Sequence, residues 1–361
     1  MNTNTNKNPL ISFCMATYKR PEFLEKTLKS ILVQRYNNFE IIVSDNDPEG
    51  SAEKIIRKIK SPKIKYYKNK KNLGMMKNFI KAFSYSKGNF ITLIADDDPI
   101  EKDMLNTLIN LYRKYPNFSS YWGASYLYVK TKEVANAYGL KVGSNSLKSI
   151  LKRNNQLSLY TPQSFFYSFL RYEIMPYFLW SNGIVERKLV SKIINAVDYD
   201  SPYFTDYCYI MKVGLGGRLL VINKELGGQT IHLNNHGRTK QEINLLIKGV
   251  QGFYKAILPT IKGREDLKLF EDFIGSWIVE YLISLKRFNI RVGDKIDNKY
   301  LNDIYYQVCN SFSFMKSKSI EFKLRSLYPF AMSKFFYYLR YTKPRQIQRI
   351  IKTVIDRINE N

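Results

Sequence analysis

The chain has 361 residues and a formal net charge of +26, from 57 Lys and Arg against 31 Asp and Glu. Its hydrophobic content of 45%, with 28 Tyr and 22 Phe, excludes an intrinsically disordered chain and suffices for one large or two ordinary domains. The charge predicts a polyanionic neighbour, which could be nucleic acid, an anionic membrane surface or a phosphorylated substrate. The alternative is a Lys-rich composition without functional meaning.

The first hundred residues alternate short apolar runs with segments of helical periodicity. The predicted strands are 10–16, 39–43, 64–67 and 89–95, and the predicted helices between them are 21–33, 51–59 and 72–86. Strands that alternate with helices in this way are typical of a parallel sheet covered by helices. The sequence therefore predicts an α/β fold.

Beyond residue 115 the pattern is weaker. We predict strands at 122–130, 180–185 and 219–222, a helix at 186–196, and a loop or short helices at 142–155. From residue 240 onward the sequence predicts helices and no strand. We expect an α/β domain over residues 1–240, with halves at about 9–115 and 116–240, and a helical C-terminal region over 241–361.

The expected compartment follows from the cysteines and the apolar runs. Cys14, Cys208 and Cys309 form neither a metal-binding spacing nor a disulfide framework, which favours a reducing cytoplasm. Residues 1–9 lack the apolar run of a secretory signal, and no stretch of 18 apolar residues predicts a membrane span.

Polar residues follow three of the predicted strands directly: Thr17, then Asp45 with Asp47, then the acidic triplet 96–98. In open parallel sheets, ligands bind at this edge. The sequence contains neither G-x-G-x-x-G nor G-x-x-x-x-G-K-[ST], which argues against ordinary dinucleotide and P-loop sites. Three adjacent carboxylates repel one another and favour a hard cation such as Mg²⁺ or Mn²⁺. The alternative is a solvated acidic turn that caps the next helix.

Four segments together resemble a family 2 glycosyltransferase of the GT-A fold: ISFCMATYKRP (11–21), FEIIVSDN (39–46), NLG (72–74) and IADDD (94–98). The resemblance covers roughly residues 9 to 240 and is most specific in the first hundred. It implies a Rossmann-like, mainly parallel sheet and an inverting transfer of a sugar from a nucleoside diphosphate donor. The implied donor is usually a UDP-sugar, and the implied cofactor is Mn²⁺ or Mg²⁺.

The resemblance also assigns residues to the donor. Asp45 matches the acid that contacts the nucleobase, and Arg20 is a phosphate or base contact. Asp98 should bind the metal, and Asp96 should face the ribose or the metal. The full donor set that it implies is Thr17, Tyr18, Arg20, Asp45, Asn72, Gly74, Asp96, Asp97 and Arg238.

An inverting transfer needs a base that deprotonates the acceptor hydroxyl. The family carries this base at the start of a helix downstream of the metal motif, and Asp206 matches that position. Many relatives have Glu-Asp here, whereas this chain has Thr205 before the acid. The alternative role of Asp206 is a helix cap, and Asp198 and Asp200 are second choices for the base.

Two histidines, His232 and His236, lie four residues apart. Such a pair can bind a metal from one helix face, but the intervening Asn-Asn and the following Gly favour a turn. The resemblance implies one histidine near the metal or diphosphate, and His232 fits better than His236. Arg238 would then offset diphosphate charge, with an ordinary surface arginine as the alternative.

For the acceptor, the resemblance points to Trp180, Ser181 and Asn182. Trp180 could stack on a sugar face, although an aromatic residue in such a Tyr- and Phe-rich chain could equally belong to the core.

The C-terminal segment is basic and amphipathic. Residues 311–361 contain six Lys, five Arg and three acids, with an isoleucine stripe along 344–358 and an aromatic segment at 327–341. A basic amphipathic helix of this kind can lie on an anionic membrane. The alternative is a helix that packs its isoleucine stripe against the rest of the protein.

Taken together, the sequence predicts a bacterial glycosyltransferase of capsule, lipopolysaccharide or wall polysaccharide synthesis, acting on a glycan or lipid-diphosphate-linked acceptor. We expect it in the cytoplasm, free or peripheral on the inner face of the membrane, and we expect no nucleic-acid partner, because no common binding motif is present. The alternatives are a basic nucleic-acid-binding protein, a non-catalytic sugar-binding relative, and a metal-dependent nucleotidyltransferase. The nucleotidyltransferase alternative is disfavoured, because this sequence lacks the Gly-rich, Lys-bearing first loop that is usual in that class.

Overall fold

The computed structural model describes residues 8–146, 156–174, 180–199, 201–233, 243–293 and 298–330. The chain divides into two compact units, Met1–Gly263 and Arg264–Asn361. The first unit contains a nine-stranded mixed sheet with helices, and the described part of the second is helical.

The first hundred residues form four parallel strands in the order β3-β2-β1-β4, linked by helices. This confirms the predicted α/β alternation. The elements are β1 (Ile11–Thr17), α1 (Pro21–Leu32), β2 (Phe39–Asp45), α2 (Glu53–Ile59), β3 (Ile64–Lys68), α3 (Met75–Tyr85), β4 (Phe90–Ala95) and α4 (Met104–Lys114).

The rest of the first unit extends the sheet in the order β4-β8-β5-β9-β7, with β6 paired to β5. Strand β8 is antiparallel to both of its neighbours, whereas β5 and β9 are parallel. The elements are β5 (Ser120–Val129), α5 (Lys132–Tyr138), β6 (Gly143–Ser146), β7 (Leu157–Tyr160), α6 (Pro162–Leu170), a 3₁₀ turn (Trp180–Asn182), β8 (Gly183–Glu186), α7 (Arg187–Ile193), a second 3₁₀ turn (Ile194–Val197), α8 (Thr205–Gly216), β9 (Leu219–Ile231) and α9 (Ile243–Ile257).

Three sequence predictions in this second half were wrong. Part of the predicted loop at 142–155 is strand β6, and the strand predicted at 180–185 begins as a 3₁₀ turn. Strand β9 continues past its predicted end at residue 222, through Gly227 and Gly228, to Ile231. Those glycines serve close packing, because a Cβ on Gly227 would lie 2.4 Å from Asn182 Oδ1 and one on Gly228 would lie 2.3 Å from the Tyr126 ring.

The strand register brings the site residues to one edge. Thr17 at the end of β1 lies opposite Asp45 at the end of β2, and Ala16 lies opposite Ala95 at the end of β4. All seven residues of β1 are buried, so this strand is central, and a hydrophobic core joins the sheet to α1 and α4. Side chains that follow these strands are therefore held on a rigid base.

Helix α9 belongs to the first unit, which consequently extends past residue 240 to Gly263. The Phe253 ring on α9 stacks on Phe204 with a centroid distance of 5.2 Å. The Ser201 hydroxyl donates to the carbonyl of Leu245 at 2.7 Å. These contacts pack one face of α9 within the first unit, whereas the sequence analysis placed residues 241 onward in the C-terminal region.

The second unit contains α10 (Arg264–Val292), α11 (Asn298–Ser311), a 3₁₀ segment (Ser313–Lys318) and α12 (Ser319–Leu327). Arg325 on α12 is buried and forms ion pairs with Glu280 and with Glu321, the latter at 2.9 Å. Among the described helices, none combines the length and the apolar character needed to cross a membrane. The predicted amphipathic helix at 344–358 lies outside the described residues.

Candidate active site

Asp96 lies at the centre of a buried polar cluster where β1 and β4 end. The Thr17 hydroxyl donates to Asp96 Oδ2 at 2.7 Å, and Arg20 Nη2 lies 2.5 Å from Oδ1. The Tyr18 backbone N–H also bonds to this carboxylate, while the Tyr18 ring is exposed. Burial raises the pKa of Asp96 to about 7, with Asp97 adding to the rise and Arg20 opposing it.

Asp97 faces two cationic or potentially cationic groups. Its Oδ2 accepts from Arg20 Nη1 at 3.1 Å and lies 3.4 Å from His232 Nε2. Burial alone would raise the pKa of Asp97, but the His232 ring and the Arg20 charge outweigh it and hold that pKa below its ordinary value. The same carboxylates outweigh the effect of burial on Arg20 and raise its pKa.

His232 reaches this cluster because β9 ends beside it. The Thr230 N–H donates to the Asp97 carbonyl at 3.2 Å, and the Tyr138 hydroxyl donates to the His232 carbonyl at 3.0 Å. The imidazole lies on the Phe23 ring, with centroids 4.8 Å apart. The structure thus places His232 beside Asp97 of the acidic triplet, while His236 and Arg238 lie outside the described residues.

Asp98 points toward the other half of the sheet. It is buried, and its Oδ2 accepts from the Ser181 hydroxyl at 3.2 Å. Burial, reinforced by the neighbouring Asp97 charge, raises the pKa of Asp98 well above its ordinary value. Asp98 therefore links the predicted metal motif to the predicted acceptor segment Trp180–Asn182.

The donor atoms of this cluster suit a hard divalent cation, because they are carboxylate oxygens joined by one imidazole nitrogen. Asp96, Asp98 and His232 are the predicted ligands, and the geometry adds Asp97 as the carboxylate nearest the imidazole. Among the described residues, however, no three His, Cys, Asp or Glu side chains converge closely enough to hold a metal ion. The guanidinium of Arg20 lies against two of the carboxylates instead.

Asp45, the predicted nucleobase contact, is fully buried and already accepts three hydrogen bonds. The N–H of Asp47 donates to Oδ1 at 3.0 Å, and the N–H of Ala52 and the Tyr66 hydroxyl donate to Oδ2 at 3.0 and 2.9 Å. A carboxylate offers about four lone-pair positions, so one remains for a nucleobase N–H. The contact with the base stays a prediction.

Asn72 and Gly74 form the turn that opens α3. The Asn72 side-chain oxygen accepts from Asn46 Nδ2 at 2.6 Å and from the Gly74 N–H at 2.9 Å. Gly74 has φ +82° and ψ 166°, a conformation that favours glycine, and a Cβ there would meet no atom within 4 Å. The turn therefore leaves open space beside the strand ends, where we expect the nucleotide.

Three buried asparagines, which the sequence analysis missed, tie these strand ends together. Asn69 Nδ2 donates to Asn78 Oδ1 at 2.8 Å, and it also contacts Asn46 Oδ1 at 3.3 Å. Asn78 Nδ2 donates to the carbonyls of Ser44 at 2.9 Å and Thr17 at 3.4 Å. One available signal was the position of Asn78 within the apolar period of α3, where a polar residue must find partners once buried.

Asp206, the predicted base, lies in the first turn of α8 and is partly buried. Its Oδ1 accepts from the Tyr207 N–H at 2.9 Å. Burial raises the pKa of Asp206 to about 6, against smaller lowering by backbone N–H groups. Phe204, in the left-handed region at φ 60°, occupies the cap position, so Asp206 is not the residue that caps this helix. Asp200 lies outside the described residues.

The acceptor segment lies between Asp98 and α8. Ser181 and Asn182 are fully buried, and Asn182 Nδ2 donates to the Ala124 carbonyl at 3.1 Å. Trp180 is 8% exposed and packs between Phe79 and Tyr209, with ring centroids 4.7 and 6.3 Å away. This burial favours a core role for Trp180 over stacking on a sugar. It also ties the 3₁₀ turn to the helix that carries Asp206.

The architecture defines the class of protein. The chain is similar in structure to the crystal structure of S. aureus TarS 1–349 in complex with UDP-GlcNAc. The match has a TM-score of 0.58 and 14% sequence identity, and it covers 87% of this chain and 91% of that one. At this identity the likeness shows the fold, which is GT-A, as the sequence motifs predicted.

The family follows from the sequence comparisons. Residues 12–190 match the family model described as Glycosyl transferase family 2, and the chain is a member of that family. The abequosyltransferase RfbV of Salmonella typhimurium is 38% identical over 104 residues, which are 27% of this chain and 31% of RfbV. A Campylobacter jejuni GalNAc(5)-diNAcBac-PP-undecaprenol beta-1,3-glucosyltransferase is 31% identical over 104 residues, 28% and 34% of the two chains. The chain thus spans about a third of the length of these curated relatives.

Proposed function

We propose that this protein transfers a sugar, with inversion, from a nucleoside diphosphate donor to a hydroxyl of a glycan or lipid-diphosphate-linked acceptor in surface polysaccharide synthesis. One observation carries the proposal: the ends of β1, β4 and β9 bring Thr17, the acidic triplet and His232 into one buried cluster. UDP is the favoured nucleotide, since the TarS neighbour binds UDP-GlcNAc. The lipid-linked acceptor is suggested by the Campylobacter relative, which is named for its action on an undecaprenol-diphosphate-linked glycan.

In this mechanism the donor is held by the strand ends, with its diphosphate at the acidic triplet and its nucleobase near Asp45. Bound Mn²⁺ or Mg²⁺, held by Asp96, Asp98 and His232, would offset the charge of the leaving diphosphate. Asp206 accepts the proton of the acceptor hydroxyl as that oxygen attacks the anomeric carbon. A pKa of about 6 leaves Asp206 ionised at neutral pH yet basic enough to take a proton.

Transfer requires Asp206 and the acidic triplet to be held in a fixed position relative to each other. Ser181 donates to Asp98 on the donor side, and its neighbour Trp180 packs against Tyr209, which lies one turn after Asp206 on α8. This chain of contacts positions the base relative to the acidic triplet. Because these side chains are buried, their packing fixes the geometry.

A donor screen tests the proposal. The full chain is incubated with single nucleotide sugars in Mn²⁺, Mg²⁺ or EDTA, and thermal shift and nucleotide release are measured. We expect at least one donor, a UDP-sugar first, to raise the melting temperature only with metal.

Asp98→Asn should remove that metal-dependent shift, whereas the control Asp103→Asn, outside the cluster, should keep it. If no donor and no metal changes stability or releases nucleotide, the enzyme proposal is wrong; binding without transfer would favour the sugar-binding alternative.

We also propose that the protein meets its acceptor at an anionic membrane surface. The second unit exposes apolar side chains on and after α12, including Ile320 at 73% and Tyr328 at 60%, beside the basic Lys323. Co-sedimentation of the full chain with vesicles rich in an anionic phospholipid tests this. Ile320→Glu should reduce binding, and the matched control Val33→Glu, exposed on the first unit, should not. Equal binding of both variants and the parent would exclude this face.

A further inference from the structure

Arg20 lies against the acidic cluster that we propose as the site of the divalent cation. Its guanidinium bridges two adjacent carboxylates, with Nη2 at 2.5 Å from Asp96 Oδ1 and Nη1 at 3.1 Å from Asp97 Oδ2. The Arg20 side chain is 32% exposed, whereas those of Asp96 and Asp97 are 0% and 9% exposed. The arginine therefore covers the solvent side of the acidic cluster.

The oxygens that Arg20 holds are those that a divalent cation would need. Asp97 Oδ2 is also the oxygen nearest to His232 Nε2, and Asp96 Oδ2 is taken by the Thr17 hydroxyl at 2.7 Å. Asp96 Oδ1 is buried, has no well-directed hydrogen bond, and lies against Arg20 Nη2. Among the described residues no three potential ligands converge on one point. The Arg20 guanidinium, which pairs with both Asp96 and Asp97, would compete with a cation for their oxygens.

The backbone at Arg20 is compatible with movement. Lys19 has φ 54° and thus lies in the left-handed region, which is strained for a residue with a side chain. Arg20 itself precedes the first turn of α1 without capping it by a side-chain hydrogen bond. Among the described residues, the ion pairs and hydrogen bonds of the Arg20 side chain are with Asp96 and Asp97, so its departure breaks no hydrogen bond within β1 or α1.

We propose that Arg20 is an exchangeable counter-ion: it holds Asp96 and Asp97 in the ligand-free protein and moves to the diphosphate when the nucleotide binds, which frees the carboxylates for the metal. A guanidinium binds phosphate in the same bidentate way in which it binds two carboxylate oxygens. Nucleoside diphosphate and divalent cation then bind cooperatively, and the carboxylates are never left without positive charge. This inference rests on the proposed metal-assisted function.

Binding measurements on the full chain test the exchange without any turnover. The affinity for Mn²⁺ is measured by calorimetry, alone and with saturating UDP, for the parent and for Arg20→Gln. Removal of the guanidinium should tighten Mn²⁺ binding without UDP about tenfold. Because the Mn²⁺ affinity in the presence of UDP should stay the same, the factor by which UDP increases Mn²⁺ affinity should fall about tenfold. Some coupling remains, because the diphosphate itself can ligate Mn²⁺. The control Arg57→Gln, in an exposed pair with Glu53 on α2, should match the parent.

Thermal stability gives a second measurement. Arg20→Gln should melt below the parent in EDTA and regain more of its stability in Mn²⁺ than the parent does. If Arg20→Gln does not fold, Arg20→Lys keeps the charge but cannot bridge both carboxylates, and it should bind Mn²⁺ with an affinity between those expected for the parent and the glutamine variant. Unchanged or weaker Mn²⁺ binding without UDP in the variant that folds would overturn the exchange. A parent that binds Mn²⁺ neither alone nor with UDP would overturn the proposed function as well.

Discussion

The acids on the two sides of the site are held in opposite ways. On the donor side, Asp45 accepts three hydrogen bonds, and Asp96 combines a hydroxyl with an ion pair. On the acceptor side, Asp206 accepts from the backbone N–H of Tyr207, and burial raises its pKa to about 6. A carboxylate with many donors is fixed and serves to position a ligand. Asp206 accepts fewer hydrogen bonds than Asp45 and so keeps lone pairs that can take a proton.

The largest expected effect concerns the reactive acid. Asp206→Asn keeps the shape of the side chain but removes the base, so transfer should fall by about 10²–10⁴-fold, while donor binding stays unchanged. Steady-state transfer and donor thermal shift are measured on the same preparation. Asp198→Asn is the matched control and should retain activity. Full activity in Asp206→Asn, with loss in Asp198→Asn, would move the base to Asp198 and remove the contrast between the two sides.

The pH dependence should follow the same carboxyl. Transfer at subsaturating donor and acceptor should fall about tenfold per pH unit below about pH 6, because the protonated base is inactive. The pKa of Asp206 in the folded protein lies above its ordinary value of 3.8. Between these two pH values the native state therefore keeps a proton that the unfolded chain has lost. The contribution of Asp206 to stability therefore falls as pH rises from about 4 to 6, and Asp206→Asn should gain up to about 3 kcal/mol relative to the wild type over that window. Denaturant unfolding at pH 4.5 and 7.5 checks the sign.

On the donor side, the expected effect is on stability. Asn78→Leu leaves the Ser44 carbonyl and the Asn69 amide buried without their partner, which should cost about 2–3 kcal/mol of unfolding free energy and weaken UDP binding. Denaturant unfolding measures the loss. Asn110→Leu, on the exposed face of α4, is the control and should stay within about 0.5 kcal/mol of the parent. An equally small change in Asn78→Leu would show that the asparagine cluster does not hold the strand ends.

The smallest expected effect lies in the turn before α3. Gly74→Ala should destabilise the protein by about 1 kcal/mol through backbone strain alone, because a Cβ there meets no atom within 4 Å. Gly263→Ala, also in open space but without a positive φ, should be neutral or slightly stabilising. Thermal unfolding of the two variants gives the comparison. Equal effects at both glycines would mean that the turn relaxes without cost.

The donor side could be predicted from sequence because its structure is local. Each of β1 to β4 is joined to the next by one helix, so the ends of β1, β2 and β4 can be located from the alternating pattern. The asparagines could not be assigned, because Asn46, Asn69 and Asn78 also read as ordinary loop or helix residues. Their role depends on burial, which a single sequence does not display.

The acceptor side was harder to predict from sequence, because its strands pair with strands that are distant along the chain. Strand β5 lies between β8 and β9, which follow it by more than fifty residues, and no local pattern encodes that order. The prediction of Asp206 came from family resemblance, and its buried environment became visible only in the fold. The close packing of Gly227 against Asn182 likewise explains why β9 passes through a sequence that looks like a turn.

The position of β9 has a consequence for how the protein becomes active during synthesis. Strands β1 and β4, with their acids, leave the ribosome early, but His232 follows only after β9 has emerged and inserted between β5 and β7. A nascent chain that has not completed this insertion holds Asp97 without its imidazole neighbour. The cluster around Asp97 is therefore complete only once the strand that carries His232 has joined the sheet.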